Sequence, residues 1–444
     1  MFTDNKLHSW LILLPLLVLL SGCQSLSGLF GEDQAHLPIV FDEPQIQLQP
    51  DIEKHQFALA PEQTLIGKLA TIETQENDTL SDIARHFGLG YNDITIANEG
   101  IPAWTPQAGS HVLLPLQFIL PDAAHKGIVL NLANMRMFYY PKNDPQKVMT
   151  YPIGIGRDGW YTPMGSTSIA VKTEKPTWHV PPSILKEHAE KGQPLPSEVR
   201  SGPENPLGLY AMRLDIPSYL IHGTNKPYGI GMQVSHGCVQ MYPENIETLF
   251  KKVAVGTPVR IIHQPYLSAW HEDMLYVEAN EPLEKWAPSK PKLKKELVKT
   301  LKTIEKQHNV KVDWGKVDQV IERSNGIPTP VLINSPDIAE LSQQAMQLAH
   351  PGKFYGQPVA TAIKDSDLAV LVGTYKNELE AQQLTAMLNH QGPQIPARKI
   401  QAQDSFKVVA GPFKNKKEAK SAANRIRSDF EIDKLKEIKG SEIH

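Results

Sequence analysis

The chain has 444 residues and a formal net charge of −3, with 45 Lys and Arg set against 48 Asp and Glu. That near balance excludes a broad basic surface of the kind phosphate backbones select, so nucleic acid is not an expected partner. A composition of 41% hydrophobic and 21% charged residues is globular, yet the chain is too long for one ordinary core, and about two to four domains are expected. The 36 prolines point to several linkers. The two cysteines, Cys23 and Cys238, lie far apart, so no disulfide framework is expected even though the chain reads as exported.

At the N-terminus, Lys6 and His8 precede an apolar run over residues 10–20, followed by Leu20-Ser21-Gly22-Cys23. The run is short for a membrane span and ends in small residues, the pattern of a cleaved secretory signal. Leu-Ser-Gly-Cys resembles a bacterial lipobox. The resemblance implies that residues 1–23 are a lipoprotein signal, that Cys23 is lipidated, and that several acyl chains then anchor the protein. Gln24 in place of Asp implies sorting to the outer membrane, facing the periplasm. Residues 24–66 are rich in Pro, Gln and acidic residues without sustained periodicity, and are expected to be a tether.

Residues 67–116 change character. Leu80, Ile83, Ala84 and Phe87 fall on one helical face closed by Gly88, a second short helix is expected over residues 93–98, and residues 112–114 form a strand stopped by Pro115. The order of elements resembles a LysM module, a small α+β (βααβ) unit, which implies binding of N-acetylglucosamine-containing glycans such as those of peptidoglycan.

Residues 125–264 read as mainly β. Residues 127–140 suggest two strands joined at Ala133-Asn134, with further strands near 148–154, 166–171 and 209–214. The run Tyr219-Leu220-Ile221 delivers His222, and Ser235-His236-Gly237-Cys238 follows. A catalytic cysteine needs a base, an electropositive pocket and backbone N–H groups aimed at the developing oxyanion. His222 can return across the loop to deprotonate Cys238, and Gly237 leaves the neighbouring N–H groups free of side-chain obstruction. The spacing of about one strand plus a turn suits two neighbouring strands. A helix over residues 244–253 is expected to pack Ile246, Leu249 and Phe250 behind Cys238.

This stretch resembles the motif of the YkuD-type L,D-transpeptidases, a histidine, a spacer, then Ser/Thr-His-Gly-Cys. Tyr151-Pro152-Ile153-Gly154, Thr162-Pro163-Met164-Gly165, Pro176-Thr177-Trp178 and Asn205-Pro206-Leu207-Gly208 extend the resemblance. It implies a β-sandwich-like fold in which Cys238 is the nucleophile, His222 the general base, and the Gly223 carbonyl orients the imidazole. Ser235, His236 and Gly237 complete the motif, His236 shaping the pocket. Many relatives carry arginine two residues after the cysteine. Here that position is Gln240, which can hydrogen-bond to substrate but cannot form a charged bidentate clamp. Tyr161 and Trp178 are candidates to line the substrate cleft. His222 and His236 lack further ligands at metal-binding spacing, so neither metal nor cofactor is expected.

The activity implied is attack on the bond between diaminopimelate and D-Ala in a peptidoglycan stem peptide, with a thioester intermediate. The acceptor, a diaminopimelate amine, a lipoprotein lysine or water, stays open at this point, as do carboxypeptidase or endopeptidase hydrolysis and a non-catalytic wall-binding role.

Residues 259–263 are expected to close the sheet and residues 274–279 to append a strand. Residues 265–330 extend the catalytic domain through a helix with Leu293, Leu297, Leu301 and Ile304 on one face. Residues 331–365 read as a second linker with one helix over 339–348. Finally, Gly373-Thr374-Tyr375-Lys376-Asn377 recurs as Gly411-Pro412-Phe413-Lys414-Asn415, each after an apolar strand and before a helix. Residues 366–444 thus resemble a SPOR domain of ferredoxin-like α+β fold, which implies binding to glycan strands stripped of stem peptides and enrichment at the division site.

Overall fold

The computed structural model describes residues 49, 51–190, 194–286, 288–358, 361–390, 392 and 394–443. The signal segment, Cys23 and the first part of the tether lie outside them. The rest of the expected tether is structured. Strand β1 (Gln56–Ala58) buries Phe57 and pairs antiparallel with residues 147–149 of the catalytic domain, because Phe57 and Leu59 supply apolar anchors that a free tether lacks. Next come β2 (Leu65–Gly67) and the LysM unit: β3 (Ala70–Glu73), α1 (Leu80–Phe87), α2 (Tyr91–Ala97) and β4 (His111–Leu114). The Thr79 side chain accepts from the Asp82 N–H to start α1, and Gly88, at φ 68°, ends it in the left-handed region. Leu80, Ile83, Ala84 and Phe87 are buried along the expected face.

Strand β5 (Gln117–Ile119) pairs with β2 and leads into the catalytic domain. There follow β6 (Gly127–Asn131), β7 (Arg136–Tyr140), β8 (Lys147–Pro152), β9 (Ile155–Gly156) and β10 (Gly165–Glu174). An excursion carries β11 (Trp178–His179), α3 (Pro182–Glu190) and β12 (Glu198–Val199). The chain returns through β13 (Tyr210–Leu214), β14 (Leu220–His222), β15 (Gln233–Ser235), β16 (Val239–Gln240), α4 (Pro243–Lys252) and β17 (Pro258–Ile262). A nine-stranded sheet runs β1-β8-β7-β6-β17-β10-β13-β14-β16, and β9 and β15 form a separate parallel pair. Instead of closing the sheet, β17 sits inside it, parallel to β6 and antiparallel to β10, with Val259 and Ile261 buried.

The two faces of this sheet bury different things. Ile128, Leu130, Met137, Tyr139, Met149 and Tyr151 join Ile246, Leu249 and Phe250 of α4 in the catalytic core. From the opposite face, Val129, Phe138, Tyr140 and Val148 merge with the LysM residues in one continuous core. The LysM unit is therefore fused to the catalytic sheet by shared apolar packing rather than tethered to it. Polar contacts add register. The guanidinium of Arg136, 1% exposed, donates to Asp93 at 2.8 Å and to the Gly88 carbonyl at 3.3 Å, and lies 4.0 Å from the Phe118 ring. Arg85 makes a bidentate pair with Glu244, 2.9 Å in each arm.

Strands β18 (Tyr266–His271) and β19 (Met274–Ala279), helices α5 (Lys290–His308) and α6 (Trp314–Arg323), and β20 (Thr329–Pro330) form a small unit. Its three-stranded sheet is distinct from the catalytic one, so residues 274–279 do not append to the latter. The expected second linker is likewise packed. Helix α7 (Ile338–Gln344) stops short of residue 348, and β21 (Met346–Leu348) adds in parallel to β3 of the LysM unit. The segment is held there because Phe354 is 1% exposed against His86 and Phe87, and His350 meets Asp78 at 3.0 Å. The chain ends in β22 (Leu368–Tyr375), α8 (Glu378–His390), β23 (Ala397–Ala402), β24 (Ser405–Phe413), α9 (Lys416–Phe430) and β25 (Lys436–Lys439). Their sheet order, β23-β24-β22-β25 with two helices behind, is the ferredoxin-like arrangement expected for the repeat. His390, at the end of α8, reaches Asp82 of α1 at 2.8 Å.

Candidate active site

Strands β14 and β16 run parallel, with Ile221 opposite Val239 and His222 opposite Gln240. This register brings His222, at the end of one strand, level with the chain that leaves Cys238. His222 is 4% exposed, and its Nδ1 lies 2.6 Å from the Gly223 carbonyl oxygen. A carbonyl only accepts, so Nδ1 carries the proton and Nε2 presents its lone pair. Burial drives the imidazole pKa down to about 4, against the opposing pull of that carbonyl.

The thiol is less enclosed than the imidazole, Cys238 being only partly buried. Burial pushes Cys238 up to about 11, with a hydrogen bond from the Leu220 backbone opposing, and the sulfur lies 3.6 Å from the Ser218 carbonyl. Both directions favour an uncharged resting pair, thiol plus imidazole.

The turn between β15 and β16 is held by its own side chains. Ser235 Oγ donates to the Cys238 carbonyl at 2.5 Å and accepts from the Gly237 N–H at 3.1 Å. The Gly237 N–H is therefore engaged by Ser235. Thr162 Oγ1 donates to the Gly237 carbonyl at 2.8 Å and accepts from the Gly156 N–H at 3.0 Å, fixing the Thr162-Pro163-Met164-Gly165 segment under the cysteine. Gly156 is required there: a Cβ would lie 1.9 Å from the Trp160 carbonyl oxygen.

His236 faces another environment. Its Nε2 lies 2.9 Å from Glu187 Oε2 on α3 and 2.9 Å from the Arg157 guanidinium, while Arg157 and Glu187 pair at 2.5 Å. The Trp160 ring meets it edge-on, with centroids 4.8 Å apart. Arg157, Trp160 and Glu187 escaped sequence reasoning, since the first two lie in the loop after β9 and the third on α3. The one available signal was the position of Arg157 and Trp160 between the motifs Tyr151-Pro152-Ile153-Gly154 and Thr162-Pro163-Met164-Gly165.

The other candidates divide. Gln240 is half-buried on β16, exchanging backbone hydrogen bonds with Gly154 at 2.9 Å. The Tyr161 carbonyl accepts from the Tyr219 hydroxyl at 3.4 Å, and its ring packs on Trp286 beneath Lys285. Trp178 is placed on β11, paired with Val199 of the excursion, rather than on the strands that carry the thiol and imidazole. Asn205 closes the excursion at its base: fully buried, its amide donates to the carbonyls of Pro176, Val199 and Arg200. Among the described residues, no cluster of His, Cys, Asp and Glu could hold a metal ion, and no helix is long and apolar enough to cross a membrane.

Comparison with known proteins agrees with this layout. Residues 125–261 match the L,D-transpeptidase catalytic domain, residues 72–115 the LysM domain and residues 364–433 the SPOR domain. The chain is 37% identical over 290 residues to the probable L,D-transpeptidase ErfK/SrfK of Salmonella typhimurium, covering 64% of this chain and 93% of that protein. It is 38% identical over 271 residues to the probable L,D-transpeptidase YbiS of Escherichia coli, covering 60% of this chain and 87% of that protein. A third relative, the probable L,D-transpeptidase YcfS of Escherichia coli, is 40% identical over 225 residues, 49% of this chain and 70% of that protein. With a catalytic sheet of this kind, a matching domain model and relatives aligned over nearly their whole length, the chain belongs to the L,D-transpeptidase family.

Proposed function

We propose that the protein cleaves the bond between diaminopimelate and D-Ala in a peptidoglycan tetrapeptide stem and transfers the acyl group through Cys238. The observation that carries this is the parallel register of β14 and β16, with Nδ1 of His222 tied to the Gly223 carbonyl and Nε2 free to accept a proton. The Cys238 proton passes to His222 Nε2 as the sulfur adds to the carbonyl carbon. Proton transfer has to accompany attack, because both resting groups favour their uncharged forms. The tetrahedral intermediate collapses, the D-Ala amine leaves with the proton from His222, and a thioester remains. An acceptor amine then attacks the thioester, His222 takes its proton, and the thiol is regenerated.

In this reading the LysM and SPOR domains hold the enzyme on glycan, and an acylated Cys23 tethers it to the outer membrane. The fused LysM core supports the first part, since a glycan strand bound there sits in a fixed geometry relative to Cys238. Incubation of the purified protein with disaccharide-tetrapeptide and chromatography of the products test the reaction. Cross-linked dimer is expected. Tripeptide monomer alone would make the enzyme a carboxypeptidase, and unchanged substrate would contradict the proposal.

A further inference from the structure

Gln240 is neutral, and its backbone is engaged in the bridge to Gly154, yet a stem peptide ends in a carboxylate next to the scissile bond. A guanidinium stands nearby. Arg157 directly follows β9, donates its backbone N–H to the Ser235 carbonyl at 3.0 Å, and rests its side chain on His236. Its strand runs close to the nucleophile's turn, since a Cβ on Gly156 would lie 3.0 Å from the Gly237 Cα.

That guanidinium is occupied by Glu187, a carboxylate delivered by the excursion rather than by the sheet. The ion pair is reachable by solvent, with side-chain exposures of 34% and 19%, so an incoming anion can exchange with it. The imidazole supplies a second sign of a replaceable contact. His236 Nε2 lies 2.9 Å from both Arg157 and Glu187, but one nitrogen cannot accept from the first and donate to the second at once. In any one protonation state only one of the two is a hydrogen bond of that nitrogen.

Building on the stem-peptide reading above, we propose that Arg157 is the carboxylate-binding residue of this site and that Glu187 holds the place of the substrate carboxylate until substrate displaces it. Arg157 thereby supplies the charge that Gln240 lacks. The α3 excursion, clamped at its base by Asn205, is released from His236 and Arg157 as the stem peptide enters.

The test compares two donors, the tetrapeptide ending in D-Ala and the same peptide ending in D-alaninamide. For wild type, KM for the acid should be lower than for the amide by about 30-fold, the worth of a charge-assisted bidentate contact. Arg157→Gln should bring that ratio close to unity, mainly through KM for the acid, and continued turnover of the amide shows that the variant is folded. Glu187→Gln should lower KM for the acid severalfold by removing the internal competitor. An acid preference that survives in Arg157→Gln, or that collapses instead in Lys285→Gln, would overturn the assignment while leaving the reaction intact. Equal use of both donors by wild type would do the same. A wild type inert towards both would overturn the proposed reaction as well.

Discussion

The two histidines around Cys238 occupy opposite kinds of site. His222 is sealed in the sheet, bonded to a backbone carbonyl and uncharged at rest; His236 lies half-exposed between a guanidinium and a carboxylate. Both are lowered by burial, but for His236 the Glu187 hydrogen bond opposes that burial, and for His222 only a neutral carbonyl does. The difference separates two tasks. A general base must accept a proton in a water-poor place, whereas recognition of a charged peptide needs exchangeable ions at the rim.

That separation is most exposed to test at the sulfur. Cys238→Ala should cost about a thousandfold or more in product formation, measured as cross-linked muropeptide per enzyme. His222→Gln should lose about 10²- to 10⁴-fold in kcat. His236→Gln should lose about tenfold or less in kcat, with its main effect in KM; equal kcat losses at the two histidines would erase the distinction.

Acid sharpens it further. A base whose pKa is held near 4 is neutral and competent above that value and protonated below it, so acylation of Cys238 should fall only as pH drops through about 4. A fall centred near the ordinary histidine value of about 6.5 would show His222 to be solvated. The same drop in pH works against the fold, because unfolded chains protonate this histidine first. Acylation rates must therefore be read beside a folded-state signal such as near-ultraviolet dichroism.

The site also depends on the base of the excursion. Asn205→Ala leaves one buried and two partly buried carbonyls without their donor and should lower stability by about 1 to 3 kcal/mol, read from denaturant midpoints. A third histidine gives the smallest effect. Burial lowers the His390 pKa, but the hydrogen bond and charge of Asp82 outweigh it and the net shift is upward. The contact between the SPOR domain and α1 is thus at full strength below about pH 6.5 and is lost as pH rises through the raised value. Trp104, whose ring centroid lies 5.4 Å from that of His390, should report this as a fluorescence change that His390→Gln abolishes.

Much of this was legible in the chain. The helical face of Leu80, Ile83, Ala84 and Phe87 closed by Gly88, the strand–turn–helix repeat around Gly373 and Gly411, and the amphipathic pattern behind α4 are local periodicities, and each folds as read. The fusion of the LysM unit to the catalytic sheet was not read, although a signal existed. Residues 128–130 and 137–140 are apolar without alternation, the mark of a strand buried on both faces. Residues 346–358 gave no period because their docking rests on isolated anchors such as Phe354 and His350. Within the site, spacing could propose His222 and Cys238 as neighbours. It could not bring Glu187 from a helix in the excursion to His236, since that contact depends on how two distant loops fold back over the sheet.

The most direct test of the account is the intact mass of the protein after incubation with a tetrapeptide donor and no acceptor, with peptide mapping of any adduct. The account predicts one acyl group on Cys238, one equivalent of D-Ala released, and neither in Cys238→Ala. D-Ala release by Cys238→Ala, or an adduct mapped to another residue, would contradict it.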